Sequence, residues 1–249
     1  IQTRHEQGAA YMATGAALAT GRPQAFCVVP GPGFLNATAA LSTAYAVNAP
    51  VLALAGQIPL GAQGKGHGLL HEIPDQFGIL ERLTKSSHRI TGPADAAATL
   101  QAAFRDLKSG RPRPVGLEVA VNLWGQAVAD AGSGLKIDPD ATPPLDADAL
   151  DQAARMVAAA RSPMIVVGGG AQDDAEAVRQ LAERIGAPVV AFRNGHGIMP
   201  DDDDLSIGMP VAHSLWADVD LVIGLGTRLT VQKLEWGVDD ALKILHIDI

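Results

Sequence analysis

Short apolar runs alternate along this chain with alanine-rich segments that carry apolar residues on one helical face. The run at residues 51–55 is apolar throughout, as expected for a strand buried on both faces of a parallel sheet. Residues 36–47 instead show the spacing of an amphipathic helix. Because strands and helices alternate, the pattern predicts an α/β fold built on parallel sheets.

The pattern predicts two such sets of elements. In the first half, helices are predicted at residues 6–20, 36–47, 74–83 and 93–108, and strands at 24–29, 51–55, 88–91 and 115–119. In the second half, helices are predicted at 146–160 and 173–185, and strands at 164–167, 188–191, 219–224 and 244–249. The glycine-rich stretch 61–68 has no period and predicts a mobile loop.

The two sets are separated at residues 121–145, where the periodicity is lost and Gly, Pro, Asp and Ser accumulate. This composition is typical of an interdomain linker. We therefore expect two doubly wound parallel-sheet domains, at residues 1–120 and 146–249. The chain opens on Ile1 without a methionine and closes on a strand-like run, so both ends are expected to be truncated.

Charge and composition narrow the classes of partner. The 249 residues carry a net charge of −8 with no cluster of Lys or Arg, which excludes nucleic acid and anionic membranes as partners. Cys27 is the single cysteine, so a disulfide or thiolate metal site is excluded, and its apolar surroundings predict burial. The sequence has no pair of His or acidic residues at a spacing typical of metal ligands. It also has no apolar run long enough to span a membrane. We expect a cytoplasmic protein that binds a small molecule.

The leading candidate for chemistry is Glu6, at the mouth of the first predicted helix. A turn of glycine and proline, residues 30–33, opens the next helix one short strand later. A carboxylate beside such a turn is how parallel α/β sheets build small-molecule sites. Two structural alternatives stay open: Glu6 could serve only the helix dipole, and the turn could be an ordinary strand-to-helix connection.

Four sequence blocks strengthen the functional interpretation. They are RHEQGAAYMA at residues 4–13, VPGPG followed by Asn36 at 29–36, NAPV at 48–51 and GQIP at 56–59. With these blocks the chain resembles the thiamine-diphosphate-dependent acetolactate synthase and 2-oxoacid decarboxylase superfamily over essentially its whole length. The resemblance implies a lyase or transferase that decarboxylates a 2-oxoacid or similar acyl donor, with or without carboligation.

The resemblance also implies roles for single residues of the first domain. Glu6 would hydrogen-bond a ring nitrogen of the cofactor's aminopyrimidine and so activate the thiazolium, and burial is expected to raise the pKa of its carboxyl. The aminopyrimidine pocket would be lined by Val29, Pro32, Gly33 and Asn36. The first domain would then be the pyrimidine-binding domain, without its first strand and helix.

His71 marks a departure from the family pattern. Acetolactate synthases typically carry Phe-Gln-Glu where residues 70–72 of this chain read Leu-His-Glu, which puts acetolactate synthesis itself in doubt. An imidazole titrates near working pH, so His71 could shuttle a proton or contact the substrate carboxylate. Alternatively, His71 is an exposed polar residue of the loop.

The second half resembles the central domain of the same superfamily, which binds FAD or ADP in some relatives and nothing in others. Its glycines lie after two predicted strands, but neither group completes the G-x-G-x-x-G fingerprint of a dinucleotide site. Where relatives hold a nucleotide, the matching positions here are Gly168, Gly169, Gly170, Gly226, Arg111, Arg228 and Asp248. Arg111 could instead cap the end of a helix.

The family's Gly-Asp-Gly, which binds the diphosphate and Mg²⁺ from a third domain, does not occur in this sequence. The resemblance therefore implies that this chain alone is inactive and that the full-length protein is at least a dimer, or a tetramer. Two alternatives stay open, namely a nucleotide-binding or assembly module without chemistry and a nucleotide-dependent oxidoreductase. The sequence does not identify the oxoacid.

Overall fold

The computed structural model describes residues 1–128 and 137–249, so the glycine-serine part of the predicted linker, at 131–134, lies outside the described residues. The chain forms two compact units, Ile1–Thr142 (unit 1) and Pro143–Ile249 (unit 2). Each unit has its own sheet, and every strand pair in both sheets is parallel. The α/β class and the two parallel-sheet domains are thereby confirmed.

Unit 1 contains four helices and four strands among the described residues, apart from short 3₁₀ turns. In chain order they are α1 Glu6–Thr20, β1 Gln24–Val28, α2 Pro32–Ala46, β2 Val51–Gln57, α3 Gln76–Leu83, β3 Ser86–Ile90, α4 Ala96–Lys108 and β4 Val115–Ala120. The strand order is β1-β2-β4-β3. Helices α1, α2 and α3 pack on one face of the sheet and α4 packs on the other, so each face has its own apolar core.

Helix α2 begins at Pro32, before the amphipathic pattern that starts at Asn36. Gly31 is its N-cap, with a φ of 59°, and Pro32 occupies the first turn. Proline suits this position because its missing N–H would have no helical partner and its φ is already helical. The glycine-proline turn and the start of the helix are therefore one structural feature, which the periodicity alone did not show.

Unit 2 has a five-stranded sheet. Its described elements are α5 Ala147–Ala159, β5 Pro163–Val167, α6 Ala175–Ile185, β6 Val189–Ala191, β7 Ser206–Ile207, α7 Met209–Leu215, β8 Leu221–Leu225 and β9 Lys243–Ile247. The strand order is β7-β6-β5-β8-β9, and the central strand β5 is fully buried from Met164 to Val167. The short elements β7 and α7 had not been predicted, because neither is long enough to show a period.

The predicted burial of Cys27 is wrong. Strand β1 lies at the edge of the sheet of unit 1, and its residues alternate between the core and the surface. Phe26 and Val28 point into the core, whereas Cys27 is exposed. The apolar run had suggested burial on both faces, but only one face of this edge strand is covered. Across residues 1–128 and 137–249, no helix has the length and apolarity needed to cross a membrane.

Candidate functional site

The N-termini of α1 and α2 meet at the carboxyl end of β1. Helix α1 starts at Glu6, where the His5 ring caps it by accepting a hydrogen bond from the Gln7 N–H at Nδ1 over 3.1 Å. Asn36, in the second turn of α2, donates from Nδ2 to Oε2 of Glu6 over 3.1 Å. The predicted carboxylate and the predicted amide are therefore in direct contact, at the edge of the sheet where parallel α/β proteins bind ligands.

The electrostatic environment of Glu6 is opposite to the one expected from the sequence. The hydrogen bond from Asn36 is the main cause that lowers the pKa of the Glu6 carboxyl, and a backbone N–H and the neighbouring His5 act in the same direction. Desolvation opposes them but is the weaker effect. The prediction of a raised pKa is wrong because the carboxylate is partly exposed and its charged form accepts hydrogen bonds.

The turn between β1 and α2 requires glycine at two positions. A Cβ on Gly31 would lie 2.4 Å from the backbone oxygen of His71, so the turn packs directly on the following loop. A Cβ on Gly33 would lie 2.4 Å from Cγ2 of Val29 and 3.4 Å from Oε1 of Glu6. The second glycine thus lets Val29 and Glu6 approach the start of α2.

A cavity of about 470 Å³ opens beside this turn. Its lining includes the carboxylate-bearing Glu6 together with Val28, Val29, Cys27 and residues 1–5. The volume falls within the usual range of small-molecule sites. Of the residues predicted to line a pyrimidine pocket, Val29 borders the cavity, Gly33 and Asn36 contact residues that border it, and Pro32 is exposed at the first turn of α2.

A buried polar network behind the turn was not predicted. Gln76, only 1% exposed, accepts from the Gly31 N–H at Oε1 over 2.7 Å. Its Nε2 donates to the Gly56 carbonyl over 2.8 Å and to Oε2 of Glu118 over 3.0 Å. This side chain therefore links the turn, strand β2 and strand β4.

Glu118 is the centre of this network and is fully buried in β4. Besides Gln76, it accepts from Nε2 of Gln57 over 3.0 Å and from Nε of Arg89 over 2.7 Å. The Arg89 guanidinium also stacks over the ring of Phe77 at 4.3 Å. A charge inside the apolar run of β4, and a glutamine ending that of β2, were sequence signals that could have indicated a buried polar cluster.

His71 contacts the site through its backbone. The residue has a φ of 71° and is half-buried, and its carbonyl fills the space that a side chain at Gly31 would need. The loop before it contains three glycines with φ between 65° and 73°, at 64, 66 and 68, and a Cβ on any of them would meet nothing within 4 Å. This stretch is therefore open rather than packed.

In unit 2, the predicted glycines pack against one another. A Cβ on Gly168 would lie 2.3 Å from the Gly226 oxygen, and a Cβ on Gly226 would lie 2.4 Å from the carbonyl carbon of Gly170. Gly170 also donates its N–H to the Gly226 oxygen over 3.0 Å. Gly169 is less tight, with its Cβ position 3.0 Å from Cβ of Asn194. Close contact between the loops after β5 and β8 thus accounts for Gly168, Gly170 and Gly226 without a ligand.

The charged residues predicted to grip a nucleotide lie in different units. Arg228 and Asp248 belong to unit 2, near the carboxyl ends of β8 and β9, where His246 Nε2 lies 3.8 Å from Oδ2 of Asp248. Arg111 belongs to unit 1, and its carbonyl accepts from Nζ of Lys85 over 3.1 Å just after α4. Over the residues for which the structure gives positions, no group of three or more His, Cys, Asp or Glu side chains could hold a metal ion.

Comparison with known proteins identifies two matching domain families. Residues 1–79 match the model of the thiamine pyrophosphate enzyme, N-terminal TPP binding domain. Residues 150–249 match that of the thiamine pyrophosphate enzyme, central domain.

The chain is also similar in sequence to individual curated proteins. "Probable 2-ketoarginine decarboxylase AruI" of Pseudomonas aeruginosa is 35% identical over 234 residues, which are 92% of this chain and 42% of that protein. The acetolactate synthase isozyme 1 large subunit of Escherichia coli is 30% identical over 258 residues, covering 100% of this chain and 45% of its own length.

A solved structure, described as that of "a putative thiamin diphosphate-dependent enzyme isolated from Mycobacterium smegmatis", superposes with a TM-score of 0.84 at 25% identity. The superposition covers 98% of this chain and 48% of that one. The chain thus spans less than half the length of each of these three relatives.

Proposed function

Because this chain belongs to the thiamine pyrophosphate enzyme family, with its N-terminal TPP-binding and central domains, we propose that unit 1 supplies the aminopyrimidine side of a thiamine diphosphate site. The full-length gene product would decarboxylate a 2-oxoacid or similar acyl donor, with carboligation as a second outcome. The names of two relatives, a decarboxylase and an acetolactate synthase, support this reaction class.

The residues around Glu6 fit an aminopyrimidine. Such a ring needs a carboxyl partner for a nitrogen and an apolar wall, and here Glu6 and Val29 border one cavity. Asn36 donates one hydrogen bond to the Glu6 carboxylate, which keeps further acceptor sites that a ring nitrogen would use. Gly33 keeps the start of α2 close to both residues. The contact between Asn36 and Glu6 is the observation that carries the proposal.

When bound, thiamine diphosphate would supply the electron sink that decarboxylation of a 2-oxoacid needs. The protein's own contribution would be to share a proton at the carboxyl group of Glu6 and to orient the ring. In the unliganded protein, the hydrogen bond from Asn36 holds the pKa of this carboxyl below its ordinary value. His71, adjacent to the turn, is proposed as a residue of the substrate side.

Several features of the family are part of the same proposal. They are Mg²⁺ and diphosphate binding outside this chain, a homo-oligomer, and the domain bounds 1–120 and 146–249 with a linker at 121–145.

Binding of FAD or ADP by unit 2 is also part of the proposal. It is supported by the position of Arg228 and Asp248 close to the turn at Gly226. The packing of the glycines gives no such support, because the loops after β5 and β8 require glycine for their contact with or without a nucleotide. A flavin absorbance spectrum of the purified protein tests this part.

The reaction class is tested by carbon dioxide release from a panel of 2-oxoacids that includes 2-ketoarginine. The assay uses the full-length gene product with thiamine diphosphate and Mg²⁺. At least one acid should give release that depends on added thiamine diphosphate. If no acid gives release although the cofactor binds, the proposed reaction class is wrong.

A further inference from the structure

We propose that Gln76 is a positioning residue for the cofactor turn, residues 30–33, and that it acts by tying this turn to the buried carboxylate of Glu118. The inference rests on the proposed thiamine diphosphate site, because the turn is the segment that sets Val29 and Asn36 beside Glu6. Gln76 itself does not border the cavity next to Glu6 and is not assigned any contact with the cofactor.

The first step is the bond to the turn. Gly31 is buried, and its N–H has the Gln76 side-chain oxygen as a partner over 2.7 Å. Gly31 is also the N-cap of α2, and its own carbonyl accepts from the Leu35 N–H over 2.9 Å. The peptide that starts α2 is therefore held from outside the helix by one side chain, which comes from the first residue of α3.

The second step is the anchoring of that side chain. The Gln76 Nε2 has two acceptors, the Gly56 carbonyl and Glu118, so both hydrogens of the amide are used. Glu118 is itself fixed by Gln57 and Arg89. A buried amide with every polar atom bonded has a single orientation, because rotation would leave a donor facing a donor.

The third step is transmission to Glu6. The turn fixed by Gln76 leads directly into α2, whose Gly33 lies against Val29 and Glu6 and whose Asn36 bonds the Glu6 carboxylate. The backbone carbonyl of His71 packs against the other side of the turn, at Gly31. A shift at Gly31 would therefore move Asn36 relative to Glu6, although neither residue touches Gln76.

The test replaces Gln76 by a residue of similar length without hydrogen bonds, Gln76→Met. The matched control is Gln57→Met, which removes a buried amide from the same Glu118 oxygen but has no hydrogen bond to the turn. Two readouts are compared in the full-length gene product, namely hydrogen exchange of peptides covering residues 29–36 and the Kd of thiamine diphosphate with Mg²⁺.

We expect Gln76→Met to lose exchange protection in the turn and to bind thiamine diphosphate about tenfold more weakly, because binding would then have to order a turn that Gln76 no longer holds. Gln57→Met should lower the melting temperature but change turn exchange and Kd much less than Gln76→Met does, because the Gln57 amide reaches Glu118 and not Gly31. Unchanged exchange and Kd in Gln76→Met would overturn the proposal, as would equal losses in both variants. If Gln76→Met does not fold, Gln76→Asn, whose amide is too short to reach Gly31, replaces it.

The two proposals can fail separately. If the wild-type protein does not bind thiamine diphosphate, the proposed function is wrong, and the exchange comparison alone then decides whether Gln76 holds the turn. If the wild-type protein binds the cofactor and Gln76→Met behaves as wild type, only the positioning role is overturned.

Discussion

Asn36 donates a hydrogen bond to the carboxylate of Glu6 across 30 positions of sequence, from α2 to the first residue of α1. This bond favours the ionised form of Glu6 in the unliganded protein, since it is the main cause of the lowered pKa of the carboxyl. It also orients the carboxylate at the start of α1.

Replacing Asn36 by Ala should raise the pKa of Glu6 towards its ordinary value. Because the folded-state pKa is depressed, the bond contributes stability above the unfolded-state pKa and loses it as the pH falls through the folded-state pKa. The melting temperature of Asn36→Ala should therefore lie below that of the wild type at pH 7, and the difference should vanish in acid. Carboxyl NMR titration of Glu6 measures the shift directly, and an unchanged pKa would contradict the assignment.

Gly33→Ala should weaken thiamine diphosphate binding. Its Cβ would meet Val29 at 2.4 Å and must displace this side chain, which borders the cavity. We expect Kd to rise about tenfold and the free energy of unfolding to fall by about 1–3 kcal/mol, as for other overpacked sites. Isothermal titration calorimetry and thermal unfolding measure the two effects.

The control for this change is Gly15→Ala, in the middle of α1. A Cβ at Gly15 meets nothing within 4 Å, so this variant should bind the cofactor normally and be more stable by roughly 0.5–1 kcal/mol. Normal cofactor affinity in Gly33→Ala would show that Val29 can move without consequence for the site.

In unit 2, Gly168→Ala should destabilise the protein even when no nucleotide is present. Its Cβ would clash with the backbone of Gly226 at 2.3 Å, which cannot be relieved by rotating a side chain. A loss of about 3 kcal/mol or more is expected, at the upper end for overpacking. Gly208→Ala is the matched control, since its φ is also negative and its nearest neighbour is 3.7 Å away. Equal calorimetric stability of the two variants would mean that loop packing does not explain Gly168.

Cys27 provides a chemical probe of the cavity, because it is exposed and borders it together with Glu6 and Val29. Desolvation raises the pKa of the thiol, so alkylation at neutral pH should be slow and should accelerate as the pH rises past the ordinary thiol value. Saturating thiamine diphosphate with Mg²⁺ should slow the modification of Cys27 by N-ethylmaleimide. Mass spectrometry of the peptide that contains Cys27 measures the rate. Reaction of the reagent with free glutathione serves as the control. An identical rate with and without the cofactor would place the ligand elsewhere.

The sequence predicted those parts of the fold that depend on local patterns. Strands such as β2 and β4 are buried on both faces, so their residues are mostly apolar. A continuous apolar run of this kind can be recognised in one sequence without knowledge of the fold. The glycine-proline turn was predicted to open the next helix, but the predicted bound, Asn36, lay four residues after the observed start at Pro32, because the amphipathic pattern begins only there. The surface position of Cys27 was not predicted, since it depends on the place of β1 in the sheet.

Some properties of the site could not be predicted from the sequence, because they depend on contacts between residues that are far apart in the chain. Glu6 and Asn36 could be named from their motifs, but the direction of the pKa shift of Glu6 depends on an amide 30 positions away. Gln76 was not among the residues predicted for the site. Its importance follows from a bond to Gly31, 45 positions earlier, and no local pattern encodes this contact.

The central claim is that Glu6 is the residue through which unit 1 activates bound thiamine diphosphate, and Glu6→Gln tests it most directly. The variant is compared with Glu81→Gln, an exposed glutamate of α3, by measuring thiamine-diphosphate-dependent turnover of the full-length gene product alongside far-UV circular dichroism. We predict a loss of about 10²–10⁴-fold in kcat for Glu6→Gln with an unchanged fold, and wild-type turnover for Glu81→Gln. Wild-type turnover in a folded Glu6→Gln variant would contradict the account.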